Sequence, residues 1–351
     1  MATLVQAVRL ALHYAEEHLG VTDIFGEDVG PPLGGVFTAT QGLTKAWNSP
    51  LDERGIVGTA MGIAYGGGLP VAEIQFCDYG FNVIDLLKVA GNQFWAGAGN
   101  FPLPMVVMTP SGSGIRGSLY HSHCFESWAS RLPGWKIVMP STPLDAYGLM
   151  LSAIRDPNPV LVLLPKALLR QRGDEKIPGE PDEADLKDRI DAPVGDRTEW
   201  KPRWPDLEPV FTPIGVARHV REGDDVTVIS YGRTVGLCAA AADDLAAETG
   251  KRCDVIDLRS IFPYDWKAIS ASVAKTGRLL VVNEDTEVTN FGEHLIRRVV
   301  DHHFYDLLVR PRMLAGRHVP GIGLNQVYEQ NTVPQLPQVR RELFAVATES
   351  A

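Results

Sequence analysis

The sequence predicts an α/β protein built from two open, mostly parallel sheets covered by helices. Three observations predict it. Short β-rich runs alternate with helical patterns on both sides of one charged, proline-rich stretch. Those runs are continuously apolar rather than alternating, as expected of strands buried on both faces. The chain has 351 residues, more than one typical core accommodates.

The first half opens with "LVQAVRLALHYAEEHL" (4–19), whose apolar residues recur at helical spacing. A strand follows in "VTDIFGED" (21–28). The run "LPVAEIQF" (69–76) reads as the next strand and leads into a helical stretch at 81–96. Then "LPMVVMTP" (103–110) runs into a glycine-rich loop, and "WKIVMPS" (135–141) precedes a helix over 143–155. "PVLVLLP" (159–165) closes this half. Residues 171–208 are rich in charge, Pro and Gly with little apolar periodicity, and read as a long surface linker. Trp200 and Trp204 within it argue for partial order. Alternation resumes with "DVTVISYG" (225–232), a helix over about 234–248 by its pattern, and "CDVIDLR" (253–259). A helix near Asp265, "RLLVVNED" (278–285), the helix "GEHLIRRVVDHHF" (292–304) and "LLVRPRMLAG" (307–316) complete it. The expected domains are 1–170 and 209–351, joined by 171–208.

Composition narrows the function classes. The net charge of −10 gives no electrostatic reason to hold nucleic acid or an anionic membrane. No apolar run approaches the length of a membrane span, and Arg9 and His13 interrupt the first helix as a secretory signal would not be interrupted. Four cysteines, none in a CxxC pair, fit buried thiols in a reducing compartment. A cytoplasmic enzyme or enzyme subunit is the expectation.

In an open α/β sheet the site lies at the carboxyl ends of the strands. Glu27, Asp28, Gln75, Asp78, Tyr79 and the loop 111–123 fall there. No GxGxxG opens a helix directly after the first strand, and there is no GxxxxGK[ST] and no GxSxG elbow. The cluster "LYHSHCFE" (119–126) offers four possible metal ligands. On an extended chain His121 and His123 share a face while Cys124 points away, and no second ligand pair is evident, so zinc is disfavoured.

Five stretches in order carry a resemblance. They are "GEDVGPPLGGVFTATQGL" (26–43), "SPLDERGIVGTAMGIAYGG" (49–67), "LPVAEIQFCDYGF" (69–81), "SGSGIRGSLYHSHCFE" (111–126) and the run 132–170. "DVTVISYG", "VIDLRSIFPYDW" and "AKTGRLLVVNED" agree with them. Together they resemble the beta subunit of thiamine-diphosphate-dependent 2-oxoacid dehydrogenases, the decarboxylating component of the pyruvate and branched-chain complexes. "AEIQFCDY" and "LYHSH" look closer to the branched-chain type.

The resemblance implies a transketolase-like pyrimidine-binding domain and a transketolase C-terminal-like domain. It makes Glu53 the carboxylate that holds the pyrimidine ring nitrogen, although by itself Glu53 reads as a helix N-terminal acid. Tyr79 would pack on the aminopyrimidine and Gln75 would line the same pocket. Glu27 would help shape that cavity. His121 would serve substrate binding or proton transfer. His123 stands where the family usually has glutamine. Asp156 and Asn158 match positions that bind potassium in some relatives, although a turn capped by Asp and Asn needs no ion. Arg54 beside Glu53, the long segment 171–208 and Met108 depart from the family pattern.

The family's GDG motif is absent. Mg²⁺ is therefore expected on a separate alpha subunit, in an α₂β₂ assembly, with the C-terminal domain docking a lipoyl acyltransferase core through "LIRRVV" and "LVRPR". Two other readings compete. One is a split-subunit transketolase-like or acetoin-cleaving thiamine enzyme, and the other is a non-catalytic scaffold subunit.

Overall fold

The structure is a computed structural model and describes residues 1–195, 197 and 199–350. Residues 196 and 198, inside the expected linker, lie outside the described residues. In chain order the first elements are α1 (Leu4–His18), β1 (Asp23–Gly26), β2 (Ala46–Asn48), α2 (Glu53–Tyr65), β3 (Pro70–Glu73), α3 (Ile84–Ala96) and β4 (Val106–Ser111). Next come α4 (Glu126–Ala129), β5 (Lys136–Val138), α5 (Pro143–Ile154), β6 (Val160–Pro165) and α6 (Glu183–Ile190). The rest are β7 (Arg218–Arg221), β8 (Val226–Ser230), α7 (Thr234–Thr249), β9 (Cys253–Asp257), β10 (Ser260–Phe262), α8 (Trp266–Thr276), β11 (Leu279–Thr286), α9 (Phe291–His303), β12 (Arg312–Gly316), α10 (Gln326–Thr332) and α11 (Leu336–Thr348).

The chain divides into two compact units. The first comprises residues 1–111 and 131–214, and the second 112–130 and 215–351. In the first, parallel strands run in the order β5-β6-β4-β3-β1-β2. In the second the order is β12-β11-β8-β9-β7, parallel except for the antiparallel edge strand β7. Strands β4, β6, β8 and β9 are buried along their whole length, which is why they read as unbroken apolar runs.

Local chemistry sets the ends of the helices. Thr3 and Gln6 form a reciprocal capping box at α1. Asp52 caps α2 by accepting from the Arg54 amide at 3.1 Å. Thr142 caps α5, with Pro143 in the first turn. Gly250 and Gly277, at φ 75° and 63°, end α7 and α8 in the left-handed conformation.

The structure differs from the sequence expectation in two places. Residues 171–208 do not cross the surface as a bare linker. They contain α6, and Ile177, Leu186 and Ile190 are buried in the core of the first unit. Only Leu186 and Ile190 share a helical spacing, so the pattern was too sparse to show as periodicity. Trp204 stacks on His13 with ring centroids 4.1 Å apart. The second difference is the segment 112–130, expected in the first domain by its place in the chain. It groups with the second unit, because its backbone and side chains hydrogen-bond to Glu284, Asp285 and Glu329. Helices α4, α6, α10 and α11 and strands β2, β7 and β10 have no counterpart in the sequence reading, and α2 is implied there only by Glu53 as a helix N-terminal acid. β7 is half-buried in alternation, as an edge strand should be, and gives no continuous apolar run.

Arg9 fastens the long segment. It is 1% exposed. Its guanidinium donates to the Ile190 carbonyl at 2.6 Å, to Asp191 at 3.1 Å and to the Thr38 carbonyl and hydroxyl at 2.9 Å each. Replacing it with alanine removes the buried cation and its donors to the Ile190 carbonyl and the Thr38 hydroxyl, while Asp191 keeps the Gln6 side-chain amide. Arg9→Ala should destabilise the chain by about 3 kcal/mol in urea unfolding. A loss within experimental error would show that the segment is held by its apolar contacts alone.

Candidate functional site

The pairing of β1 with β3 builds the first part of the site. Gly26, the last residue of β1, stands beside Glu73, the last of β3. A Cβ on Gly26 would collide with the Glu73 carbonyl, so the two strand ends approach as only glycine allows. The residues that follow each strand therefore emerge side by side: Glu27 and Asp28 from β1, Gln75 to Tyr79 from β3.

Glu27 is half-buried, and its carboxyl is pushed up by burial first, then by Asp28 and by Glu53. Tyr79 is half-buried, and its phenol is pushed up by burial, then by Asp78, Glu53 and Glu27. Glu27, Glu53 and Tyr79 thus share one electrostatic neighbourhood although they come from three elements. Gln75 reaches the same edge, donating to Asp28 Oδ2 at 3.3 Å. Tyr79 meets Phe76 edge-to-face, with centroids 6.0 Å apart, and Phe76 meets Phe37 at 6.5 Å. Lys166, just past β6, is buried with its Nζ 5.7 Å above the Phe76 ring, and that ammonium donates no hydrogen bond.

Glu53 occupies the first turn of α2. Among the described residues no cation pairs with it. Its neighbour Arg54 is turned outward to Asp85 on α3, at 2.6 Å. The bulky charge next to Glu53 therefore leaves that carboxylate uncompensated. The residues present fit a protonated nitrogen heterocycle: an uncompensated, half-buried carboxylate beside a half-buried aromatic face.

Residues 112–123 belong to the second unit. Gly112 lies at φ 82°, and a Cβ there would overlap the Glu284 carboxylate. Ser113 Oγ donates to Glu284 Oε2 at 2.6 Å, and the amides of Gly114 and Arg116 donate to Glu329 Oε2 at 3.0 and 2.8 Å. The Ser122 hydroxyl accepts from the Gly117 amide at 2.8 Å, and His121 Nδ1 lies 3.3 Å from the Gly117 carbonyl oxygen. His121 and His123 are both half-buried. The upstream glycines thus shape a loop that closes on its own carboxylate partners.

At the remaining expected position, Asp156 pairs with Lys136, and its other oxygen accepts from the Asn158 amide and side chain at 3.0 and 2.9 Å. A lysine ammonium already neutralises this turn. Sequence reasoning also missed Phe76, Lys166, Glu284 and Glu329 as parts of the site's frame. Glu284 lies in the quoted "NED" that ends a predicted strand, so a signal existed for it. None existed for Glu329.

Residues 2–172 match the model of the transketolase pyrimidine-binding domain, and residues 215–339 that of the transketolase C-terminal domain. The chain is 36% identical to the 2-oxoisovalerate dehydrogenase subunit beta of Pseudomonas aeruginosa, covering 91% of this chain and 88% of that one. It belongs to the family of 2-oxoacid dehydrogenase beta subunits. Other members of this beta-subunit family agree. The 2-oxoisovalerate dehydrogenase subunit beta of Bacillus subtilis is 35% identical over 91% of this chain and 90% of its own. The pyruvate dehydrogenase E1 component subunit beta of Acholeplasma laidlawii is 36% identical over 90% and 89%. A solved "split gene transketolase, inactive beta4 tetramer" superposes over 100% of both chains with a TM-score of 0.71 at 15% identity. That likeness shows the shared fold alone and gives the transketolase-like alternative no support in activity.

The closeness of Glu27 and Glu53 is directly measurable. Glu53→Gln removes one of the charges that raise Glu27, so the Glu27 titration should move down toward the ordinary carboxylate range. Carbon-detected NMR of the side-chain carboxyl reads this shift. An unchanged Glu27 midpoint would mean that the two carboxylates do not face each other.

Proposed function

We propose that this chain is the beta half of a thiamine-diphosphate-dependent enzyme that decarboxylates a 2-oxo acid and passes the acyl group to a lipoyl acceptor. A branched-chain substrate is favoured, since relatives from several organisms are named for 2-oxoisovalerate. The observation that carries the reading is the uncompensated Glu53 carboxylate beside Tyr79, inside a matched pyrimidine-binding domain.

Bound thiamine diphosphate supplies the electron sink that decarboxylation needs. In this reading Glu53 holds the proton at the pyrimidine ring nitrogen and so fixes the ring's tautomer. Tyr79 gives the ring a flat partner, oriented by the Phe76 edge. Gln75 and Glu27 line the pocket, with Gln75 held by Asp28. His121 exchanges a proton with substrate during acyl transfer, its ring set by the Gly117 carbonyl. The Mg²⁺ that pairs with the diphosphate is assigned to an alpha subunit. At Asp156 and Asn158, Lys136 supplies the charge that potassium would bring, which argues against an ion there.

The relatives' names make an alpha subunit the natural partner. The first unit offers a surface suited to one: Tyr65, Val89 and Trp95 are exposed on α2 and α3, and Gly58 and Gly62 have open space where side chains would stand. For the acyltransferase core the predicted basic segments keep only part of their charge. Arg298 lies on the Trp266 ring at 4.1 Å, and Arg312 pairs with Glu342 and Glu349. Arg310 remains exposed, with Phe304 and Tyr305 nearby in sequence. Among the described residues no helix is long and apolar enough to cross a membrane. Four cysteines outside any disulfide, three of them buried, fit the cytoplasm.

Co-expression with the alpha partner should give thiamine-dependent decarboxylation, read with a panel of 2-oxo acids. Glu53→Gln should lower kcat by about a hundredfold or more, and full activity in that variant would sink the assignment. Trp95→Glu should weaken assembly by about tenfold in analytical ultracentrifugation. Unchanged association would place the partner on another face.

A further inference from the structure

The segment 112–130 is fastened by carboxylates, and one buried acid there has an oxygen with no hydrogen-bond partner. Asp285 Oδ2 accepts from the Ser127 amide at 3.2 Å, and its Oδ1 accepts from the Thr286 amide at 2.7 Å. The Ser127 hydroxyl in turn accepts from the Phe291 amide at 2.9 Å, at the start of α9. Glu126, which opens α4, is 0% exposed. Its Oε2 accepts from the Phe125 amide at 3.1 Å, while Oε1 accepts no hydrogen bond. The Tyr231 hydroxyl, buried just past β8, also has no partner.

The charges around Glu126 do not balance. Glu284 and Asp285 face it from β11, Tyr231 from the end of β8, and Cys124 comes from its own segment. Among the described residues one guanidinium serves this group, Arg233, and it is committed to Glu284 at 2.7 Å. Three carboxyl groups therefore meet one cation in a water-poor interior. A buried carboxyl without a counter-ion takes up a proton rather than keep its charge.

We propose that Glu126 is a positioning residue held as the neutral acid, and that its proton is what lets the segment carrying His121 close on Glu284 and Asp285. The proposal rests on the reading of His121 as a site residue only for its consequence in catalysis. Burial first, then Asp285, pushes the Glu126 carboxyl well above the usual range, and burial raises Asp285 as well. The sign follows from linkage. A raised acid contributes stability that is full below its ordinary value and is lost as pH rises through the raised one. The segment is thus tightest at acid pH and loosens as pH rises toward the raised value.

The test uses the complex with its alpha partner. Amide hydrogen exchange over residues 113–123, corrected for intrinsic rates, is followed from about pH 6 to about pH 9. In parallel, the carbonyl stretch of a protonated carboxyl is followed by infrared spectroscopy with carbon-13 glutamate. In the wild type, exchange should quicken about tenfold per pH unit and level off at the pH where that band disappears. Glu126→Gln should lack the band and keep the segment protected throughout. The same alkaline loosening in Glu126→Gln would overturn the proposal, as would the absence of a protonated glutamate at neutral pH in the wild type. If Glu126→Gln fails to fold, the wild type still decides, because exchange that levels off at a different pH from the loss of the band overturns it too. Neither readout needs turnover. An inactive complex with this pH-linked segment would sink the functional reading and leave the proposal standing.

Discussion

The close approach of β1 and β3 is the constraint on which the first half of the site depends. Gly26 has no room for a side chain against the Glu73 carbonyl. Because the pair is parallel, both strands deliver their following residues to the same edge. Glu27 and Asp28 come from one, Gln75 and Tyr79 from the other, and α2 brings Glu53 to them. Burial first and then the like charges gathered this way disfavour ionisation, and Glu27 and Tyr79 are both raised. An arrangement that keeps Glu53 without a cation, while Arg54 points away to Asp85, is suited to a ligand that brings its own positive character.

The second unit solves a different problem with the same residue type. There, carboxylates are used to hold backbone. Glu329 collects the amides of Gly114 and Arg116, Asp285 takes that of Ser127, and Glu284 takes the hydroxyl of Ser113. A glycine-rich loop has many amides and few side chains, so acceptors brought from distant elements are the direct way to order it. The excess of acid over base in this buried group couples the loop to protonation.

Most of the strands were legible because each is a short apolar run buried on both faces, and composition alone marks such runs. Half-buried and short elements were not. β7 alternates at an edge, and α6 shows only Leu186 and Ile190 at helical spacing inside a charged stretch. The site residues were named from a resemblance in five ordered motifs, since Glu53 by itself reads as an ordinary acid in a first turn. Phe76, Lys166 and Glu329 escaped because nothing local distinguishes a ring, a buried ammonium or an acid that will meet a partner far away in sequence.

The sequence by itself determined the α/β class, the order of most elements and the family, because these depend on local pattern and on motifs kept in order. Tertiary structure decided which charges are compensated: Arg54 with Asp85 rather than Glu53, Lys136 with Asp156, Arg233 with Glu284. It also decided that residues 112–130 join the second unit and that 171–208 pack on the first. The physical reason is that pairing and burial are set by distance in space, which spacing along the chain does not encode. "LYHSHCFE" shows the difference. Its histidines drew attention in the sequence, while Glu126, its least conspicuous residue, is the one the fold buries without a counter-charge.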